Sequence, residues 1–363
     1  MSGPDAVIET VGIVGAGTMG TGLAELCSIR GFAVRVCDSS PDAVVRSLER
    51  LTEGLERRRD KGKLSETEVR RAVDAVSYVA GLGGLSGAEI VIEAASEDLK
   101  IKQRIFKELG ALDGERVLAT NTSSLPVWAI AQACRAPERV VGMHFFNPPQ
   151  VMRLVEIART PQTLEGPFRT AWKFAAALGK TPIAVKDTPG FVVNRVMRAY
   201  YLGGLRLANE GAGIDDVDRA CREHGGVPMG PFELMDLIGV DVNLAITRVI
   251  YEALGRPERM RPSIIQEWLV GSGNMGQKVG KGFYIYSDAP PTVNPEVRAI
   301  LPEPARFAAP DLWTRVLRSL GEEARRVAEE GVAVPEDIDT AVKLATNFPK
   351  GPFEWEKDLP PTA

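Results

Sequence analysis

The chain has 363 residues, enough for two or more domains that each close a core, with 44 basic and 48 acidic side chains and a formal charge of −4. A quarter of the residues are charged and 44% are hydrophobic, which excludes disorder and collagen-like repeats, and the missing basic excess argues against nucleic acid as a partner. Cys27, Cys37, Cys134 and Cys221 are far apart and never form a C-x-x-C pair, so they read as reduced, buried thiols without a zinc site or a disulfide framework. No apolar stretch approaches the 18 residues of a membrane span, and the first nine residues lack the basic start and apolar run of a signal peptide. The expectation is a soluble cytoplasmic protein.

Residues 11–14 predict a strand, Gly15-Ala16-Gly17-Thr18-Met19-Gly20 a turn, and the spacing of Leu23, Leu26 and Ile29 a helix that ends at Gly31. In G-x-G-x-x-G the first glycine permits the tight turn, the second lets backbone approach a pyrophosphate, and the third lets helix and strand pack closely. Gly15, Gly17, Thr18, Met19 and Gly20 are therefore candidate cofactor-binding residues, with backbone N–H groups and the positive helix end facing the phosphates. A second strand over 33–37 leads to Asp38, 18 residues after Gly20, where an acid binds the ribose hydroxyls and repels a 2′-phosphate. That favours NAD over NADP; the alternative for Asp38 alone is a cap on the helix starting at Pro41.

Apolar runs at 89–95 and 116–121 read as further parallel strands buried on both faces. Residues 1–186 thus read as an α/β doubly wound (Rossmann) domain, and Asn121-Thr122-Ser123-Ser124 lies beyond a strand's carboxyl end, where such sheets bind ligands.

The chain has two histidines. His144 closes a strand over 139–143, Pro148 and Pro149 then break regular structure, and a second strand follows over 151–157. If the segments fold back around Gln150, His144 and Glu156 are each six residues from the turning point and face one another. A carboxylate on one ring nitrogen fixes the tautomer and leaves the other free to take a proton, as oxidation of an alcohol requires; the alternative is a structural contact in a hairpin. His224 sits at a helix end and reads as a C-terminal cation.

After Pro182 the pattern turns helical: 187–287 reads as an all-α domain, 288–310 as a Pro-rich linker and 311–363 as a second, partial copy of the helical domain. Asn194, near the start of the first long helix, is expected at the cleft between domains, where its amide serves a substrate oxygen, a cap or an interhelical contact. The basic run Glu56-Arg57-Arg58-Arg59-Asp60-Lys61-Gly62-Lys63 reads equally as a solvated helix face or as a dock for the phosphates of a bulky acidic substrate.

These residues together resemble the L-3-hydroxyacyl-CoA dehydrogenase family. The likeness rests on the glycine turn, on Asn121-Thr122-Ser123-Ser124-Leu125, on His144-Phe145-Phe146-Asn147-Pro148 with Leu154-Val155-Glu156, on Asp187-Thr188-Pro189-Gly190-Phe191-Val192-Val193-Asn194-Arg195, on Pro228-Met229-Gly230-Pro231-Phe232-Glu233 and on Gly280-Lys281-Gly282-Phe283-Tyr284. The resemblance implies His144 as general base, Glu156 as its orienting carboxylate, and Ser123 and Asn194 as hydrogen-bonding groups around the reacting oxygen and thioester. It implies Asp38, Glu97, Lys102, Asn121 and Lys278 as contacts of NAD, and Lys61 and Lys63, with Ser123, as contacts of a CoA substrate. The implied activity is reversible NAD-dependent oxidation of L-3-hydroxyacyl-CoA to 3-ketoacyl-CoA, without a metal. The rivals are a dehydrogenase of free hydroxy or sugar acids and a catalytically silent NAD-binding, crystallin-like protein.

Family members of ordinary length end near Tyr286, and this chain runs 77 residues further. Residues 217–234 and 338–355 share 7 identities in 18, and Thr314 stands opposite Asn194 in the second copy. Because the family dimerises through this domain, a tethered copy is expected to form an intramolecular pseudo-dimer, in a monomer or a homodimer.

Overall fold

A computed structural model describes residues 8–287 and 289–357. Residues 1–7, most of the segment read as lacking a leader, Asp288 of the expected linker, and 358–363 at the end of the second copy lie outside the described residues. The chain divides into two compact units, Met1–Thr188 and Pro189–Ala363.

The first unit is an eight-stranded sheet with strands β1 (Thr10–Val14), β2 (Ala33–Cys37), β3 (Val76–Tyr78), β4 (Ile90–Glu93), β5 (Val117–Thr120), β6 (Val140–Phe145), β7 (Leu154–Arg159) and β8 (Thr181–Lys186). Their order is β3-β2-β1-β4-β5-β6-β7-β8. The first six run parallel, while β7 and β8 run together in the opposite direction. Helices α1 (Thr18–Ile29), α2 (Pro41–Asp60), α3 (Glu66–Asp74), α4 (Leu99–Leu109), α5 (Val127–Ala131) and α6 (Glu165–Ala177) connect them. The strands are built from β-branched residues covered on both faces, and Val11, Ile13, Val36, Ile90 and Ile92 are buried completely. From β1 the chain steps outward to β3 and then returns to place β4 on the other side of β1. That reversal opens a crevice beyond the carboxyl ends of β1 and β4.

The second unit contains α7 (Val193–Asn209), α8 (Ile214–Gly225), α9 (Pro231–Ile238), α10 (Val240–Ala253), α11 (Ile264–Gly271), β9 (Tyr284–Ile285), β10 (Thr292–Val293), α12 (Pro295–Ile300), α13 (Ala309–Glu329), α14 (Pro335–Thr346) and α15 (Pro352–Glu356). The stretch expected to be a plain linker carries β10, paired antiparallel with β9, and α12. Its prolines mislead because Pro295 stands at the first position of a helix, where a missing N–H costs nothing. Asn294, fully buried, caps that helix through the Glu296 N–H and donates to the Gly282 carbonyl.

Two three-helix segments of this unit repeat the same local devices. A carboxylate on the middle helix accepts N–H bonds from the start of the third: Asp218 from Phe232 and Glu233, and Asp339 from Phe353. Glycine is required at the joint, since a Cβ on Gly230 would lie 2.3 Å from Asp218 Cα and one on Gly351 2.4 Å from Asp339 Cα. The first helices, α7 and α13, pack with reciprocal ion pairs: Arg195 at the start of α7 binds Glu330 past the end of α13, and Arg315 on α13 binds Glu210 past the end of α7. Both partners shift by the same 120 residues, as in a two-fold interface where i meets j and j meets i. Glu323 of α13 completes the shell of Arg195 at 2.8 Å and also binds Arg259.

All four cysteines are free and buried. Among the described residues no helix is long and apolar enough to cross a membrane, and no cluster of His, Cys, Asp and Glu is arranged to hold a metal ion.

Candidate active site

At the crevice each glycine of the first turn has its own reason. Gly15 has φ +106°, and a Cβ there would sit 2.6 Å from the carbonyl oxygen of Ala94, just past β4. At Gly20 a Cβ would meet the Gly15 oxygen at 1.8 Å, so only glycine lets α1 start this close to β1. Gly17 has nothing within 4 Å, leaving its backbone open to a ligand, and it caps α1 just before Thr18 and Met19. Asp38 accepts the Ala16 N–H at 2.7 Å and the Ser40 N–H at 2.8 Å. Ser40, and not Asp38, caps α2, so the capping alternative falls away. Gly15, Gly17, Asp38, Ser96, Ile101 and Arg104 help line a cavity of about 550 Å³. An open glycine, aligned N–H groups and an acid at the end of β2 fit a dinucleotide with free ribose hydroxyls.

The antiparallel register of β6 and β7 sets His144 directly opposite Glu156. Nδ1 of His144 lies 2.7 Å from Glu156 Oε2, and Nε2 lies 3.2 Å from the Ser123 hydroxyl. Glu156 is fully buried and His144 is 5% exposed, with Phe146 edge-on against the ring at 4.6 Å. A buried carboxylate accepts, so Nδ1 carries the proton and donates it, which leaves Nε2 as the basic nitrogen beside Ser123.

Ser123 is held in turn. Glu97 Oε1 accepts from the Thr122 hydroxyl, from the N–H groups of Ser123 and Ser124, and from the Ser124 hydroxyl. Burial pushes the Glu97 carboxyl up, but Lys102 and these donors outweigh it and hold it below the ordinary glutamate value. Lys102 is 1% exposed, 2.7 Å from Glu93 and 3.4 Å from Glu97. An ammonium set between two carboxylates holds Glu97 in place. Asn121 gives its carbonyl oxygen to the Phe145 N–H at 2.9 Å, tying the β5 loop to the end of β6.

The basic run divides. Arg57, Arg58 and Arg59 are paired, with Glu53, with Glu25, and with Asp60 and Glu66. Lys61 and Lys63, just past α2, are exposed and unpaired among the described residues. Two predicted site residues belong to the second unit. Asn194 is in the first turn of α7, and Lys278 is ion-paired with Asp241 at 2.6 Å.

Sequence reasoning missed Glu93, which is fully buried and binds Lys102, the Ala95 N–H and the Thr120 hydroxyl at 2.7 Å each. Its signal was present: an acid ending an apolar strand on the crevice side is out of place in a core unless it anchors something.

The model of the 3-hydroxyacyl-CoA dehydrogenase NAD binding domain matches residues 10–188, and that of the 3-hydroxyacyl-CoA dehydrogenase C-terminal domain matches 190–286 and 312–359. The 3-hydroxyadipyl-CoA dehydrogenase of Escherichia coli is 31% identical, over 97% of this chain and 91% of that protein. The 3-hydroxybutyryl-CoA dehydrogenase of Mycobacterium tuberculosis is 38% identical, over 77% of this chain and 99% of its own length. Among solved structures, 3-hydroxybutyryl-CoA dehydrogenase from Escherichia coli superposes with a TM-score of 0.87 at 30% identity, covering 97% of this chain and 92% of that one.

Proposed function

Because the chain belongs to the 3-hydroxyacyl-CoA dehydrogenase family, we propose that it oxidises the C3 hydroxyl of an L-3-hydroxyacyl-CoA to the 3-ketoacyl-CoA, reversibly. The carrying observation is the His144 ring, clamped by Glu156 on Nδ1 and turned by Nε2 toward Ser123. NAD⁺, when bound, supplies the hydride acceptor. His144 Nε2 takes the hydroxyl proton, Glu156 stabilises the imidazolium that results, and the Ser123 hydroxyl bonds the reacting oxygen. The turn from Gly15 to Gly20 holds the pyrophosphate, and Asp38 the ribose hydroxyls. Glu97, Lys102 and Asn121 keep the Ser123 loop in register with β6. Lys61 and Lys63 are offered to the CoA phosphates, while Asn194 and Lys278 enter this reading through the family resemblance alone. The four free cysteines suit a reducing, cytoplasmic setting.

The helical unit is read as a pseudo-dimer within one chain, in which the second copy covers the surface a partner subunit would cover. The reciprocal pairs Arg195–Glu330 and Arg315–Glu210 support this. Light scattering is expected to give a monomer, and a chain cut after Tyr286 is expected to aggregate or dimerise. A soluble, monomeric and fully active truncation would contradict it.

NADH oxidation tests the activity, with acetoacetyl-CoA compared with free acetoacetate at equal concentration. Turnover of the thioester alone is expected, and preference for the free acid would overturn the CoA reading.

A further inference from the structure

The connection between β6 and β7 carries no reacting group, yet it is pinned from below by charged side chains. Gln150 Nε2 donates to Glu25 Oε2 of α1 at 2.7 Å, and the other oxygen of Glu25 accepts from Arg58 Nε of α2 at 2.7 Å. Lys180, 9% exposed, donates to the carbonyls of Pro149 and Met152, and the Thr181 N–H donates to the Arg153 carbonyl at 2.7 Å. Burial, with Arg30 and Arg58 nearby, brings the Lys180 ammonium down to about 8.

Two glycines inside helices make room for this arrangement. A Cβ on Gly54 of α2 would lie 2.7 Å from Glu25 Oε2, and one on Gly22 of α1 would lie 2.7 Å from Pro149 Cγ and 3.0 Å from Gln150 Oε1. Glycine inside a helix is disfavoured relative to alanine, so both are misplaced unless the close approach matters. Glu25 itself is 5% exposed, a buried carboxylate with one oxygen committed to each of two elements.

We propose that Glu25 is a positioning residue that couples the end of α2, where Lys61 and Lys63 stand, to the hairpin that holds His144 against Glu156. Arg58 lies three residues before Lys61, so a phosphate drawn to that end of α2 pulls on Arg58, and the Arg58–Glu25–Gln150 contacts carry the pull to the hairpin. The inference rests on the reading of Lys61 and Lys63 as CoA contacts.

Steady-state rates of Arg58→Met, Gln150→Leu and the double variant test it, with acetoacetyl-CoA and with acetoacetyl-pantetheine, which lacks the nucleotide. Arg58→Met is expected to raise KM several-fold for the CoA thioester only, and Arg58→Lys to restore it. Gln150→Leu is expected to lower kcat about tenfold for both thioesters while leaving NADH binding intact, since small misplacement of a reacting group is costly. With acetoacetyl-CoA the double variant loses less than the product of the two single effects, because either change already breaks the link. Effects that multiply with both thioesters, or an Arg58→Met loss equal for both, would overturn the coupling. An unchanged KM for acetoacetyl-CoA in a Lys61→Ala, Lys63→Ala variant would sink the CoA reading separately, while the kcat of Gln150→Leu still judges the hold on the hairpin.

Discussion

Two buried acid–base contacts of nearly equal length, one in each unit, have different consequences. His144 and Glu156 meet at 2.7 Å, and Arg195 and Glu323 at 2.8 Å, with exposures of 5% or less throughout. Arg195 spends its other nitrogens on Glu330, and these carboxylates outweigh burial to raise a guanidinium that never titrates in the accessible range. His144 gives one nitrogen to its carboxylate and turns the other to a hydroxyl. A short buried ion pair is therefore no sign of chemistry by itself. The telling feature is a partner that can change protonation and presents its second nitrogen to a group that exchanges protons.

Variants separate the two kinds of contact. In the second unit, Glu323→Ala leaves both Arg195 and Arg259 short of a partner and should cost about 3–5 kcal/mol of stability, read as a lower denaturant midpoint, with NADH affinity unchanged. In the hairpin, Glu156→Gln keeps the shape but removes the charge that stabilises imidazolium, and kcat should fall about 10²–10³-fold with NADH affinity retained. A stability loss without a rate loss there would erase the contrast.

Glu97 gives a smaller, pH-dependent effect. Its folded pKa is held below the ordinary 4.5, so its contribution is present above that value and is lost as pH falls through the depressed folded value. Unfolding curves of the wild type and Glu97→Gln should differ by no more than about 1 kcal/mol at neutral pH, because Glu97 is 39% exposed and solvent screens its charge, and converge in acid. The smallest change is expected for Arg315→Ala. Its pair with Glu210 mirrors Arg195–Glu330, but both side chains are more than 40% exposed, so the loss should stay below about 1 kcal/mol. A loss matching that of Glu323→Ala would show that the repeat's symmetry outweighs burial.

Much of the first unit was legible because local rules and global packing agree there. The glycine turn, the acid after β2 and the equal spacing of His144 and Glu156 from Gln150 are short-range patterns, and the sheet obeys them. The repeat was legible as a shared offset. Contacts between elements far apart in sequence were not. Glu25 meets Gln150 across 125 residues, and nothing in either segment alone announces it. Lys102 was named through the family resemblance alone, and nothing in its own segment announces that its ammonium is buried against Glu93. Pro295 looked like part of a spacer because proline starts helices as readily as it interrupts them.

The central claim is that His144 is the base, and His144→Gln tests it most directly, with NADH oxidation by acetoacetyl-CoA followed beside a fluorescence titration of NADH. The account predicts a rate lower by about 10³–10⁴-fold with NADH bound as tightly as before. An undiminished rate, or a lost rate explained by lost NADH binding, would contradict it.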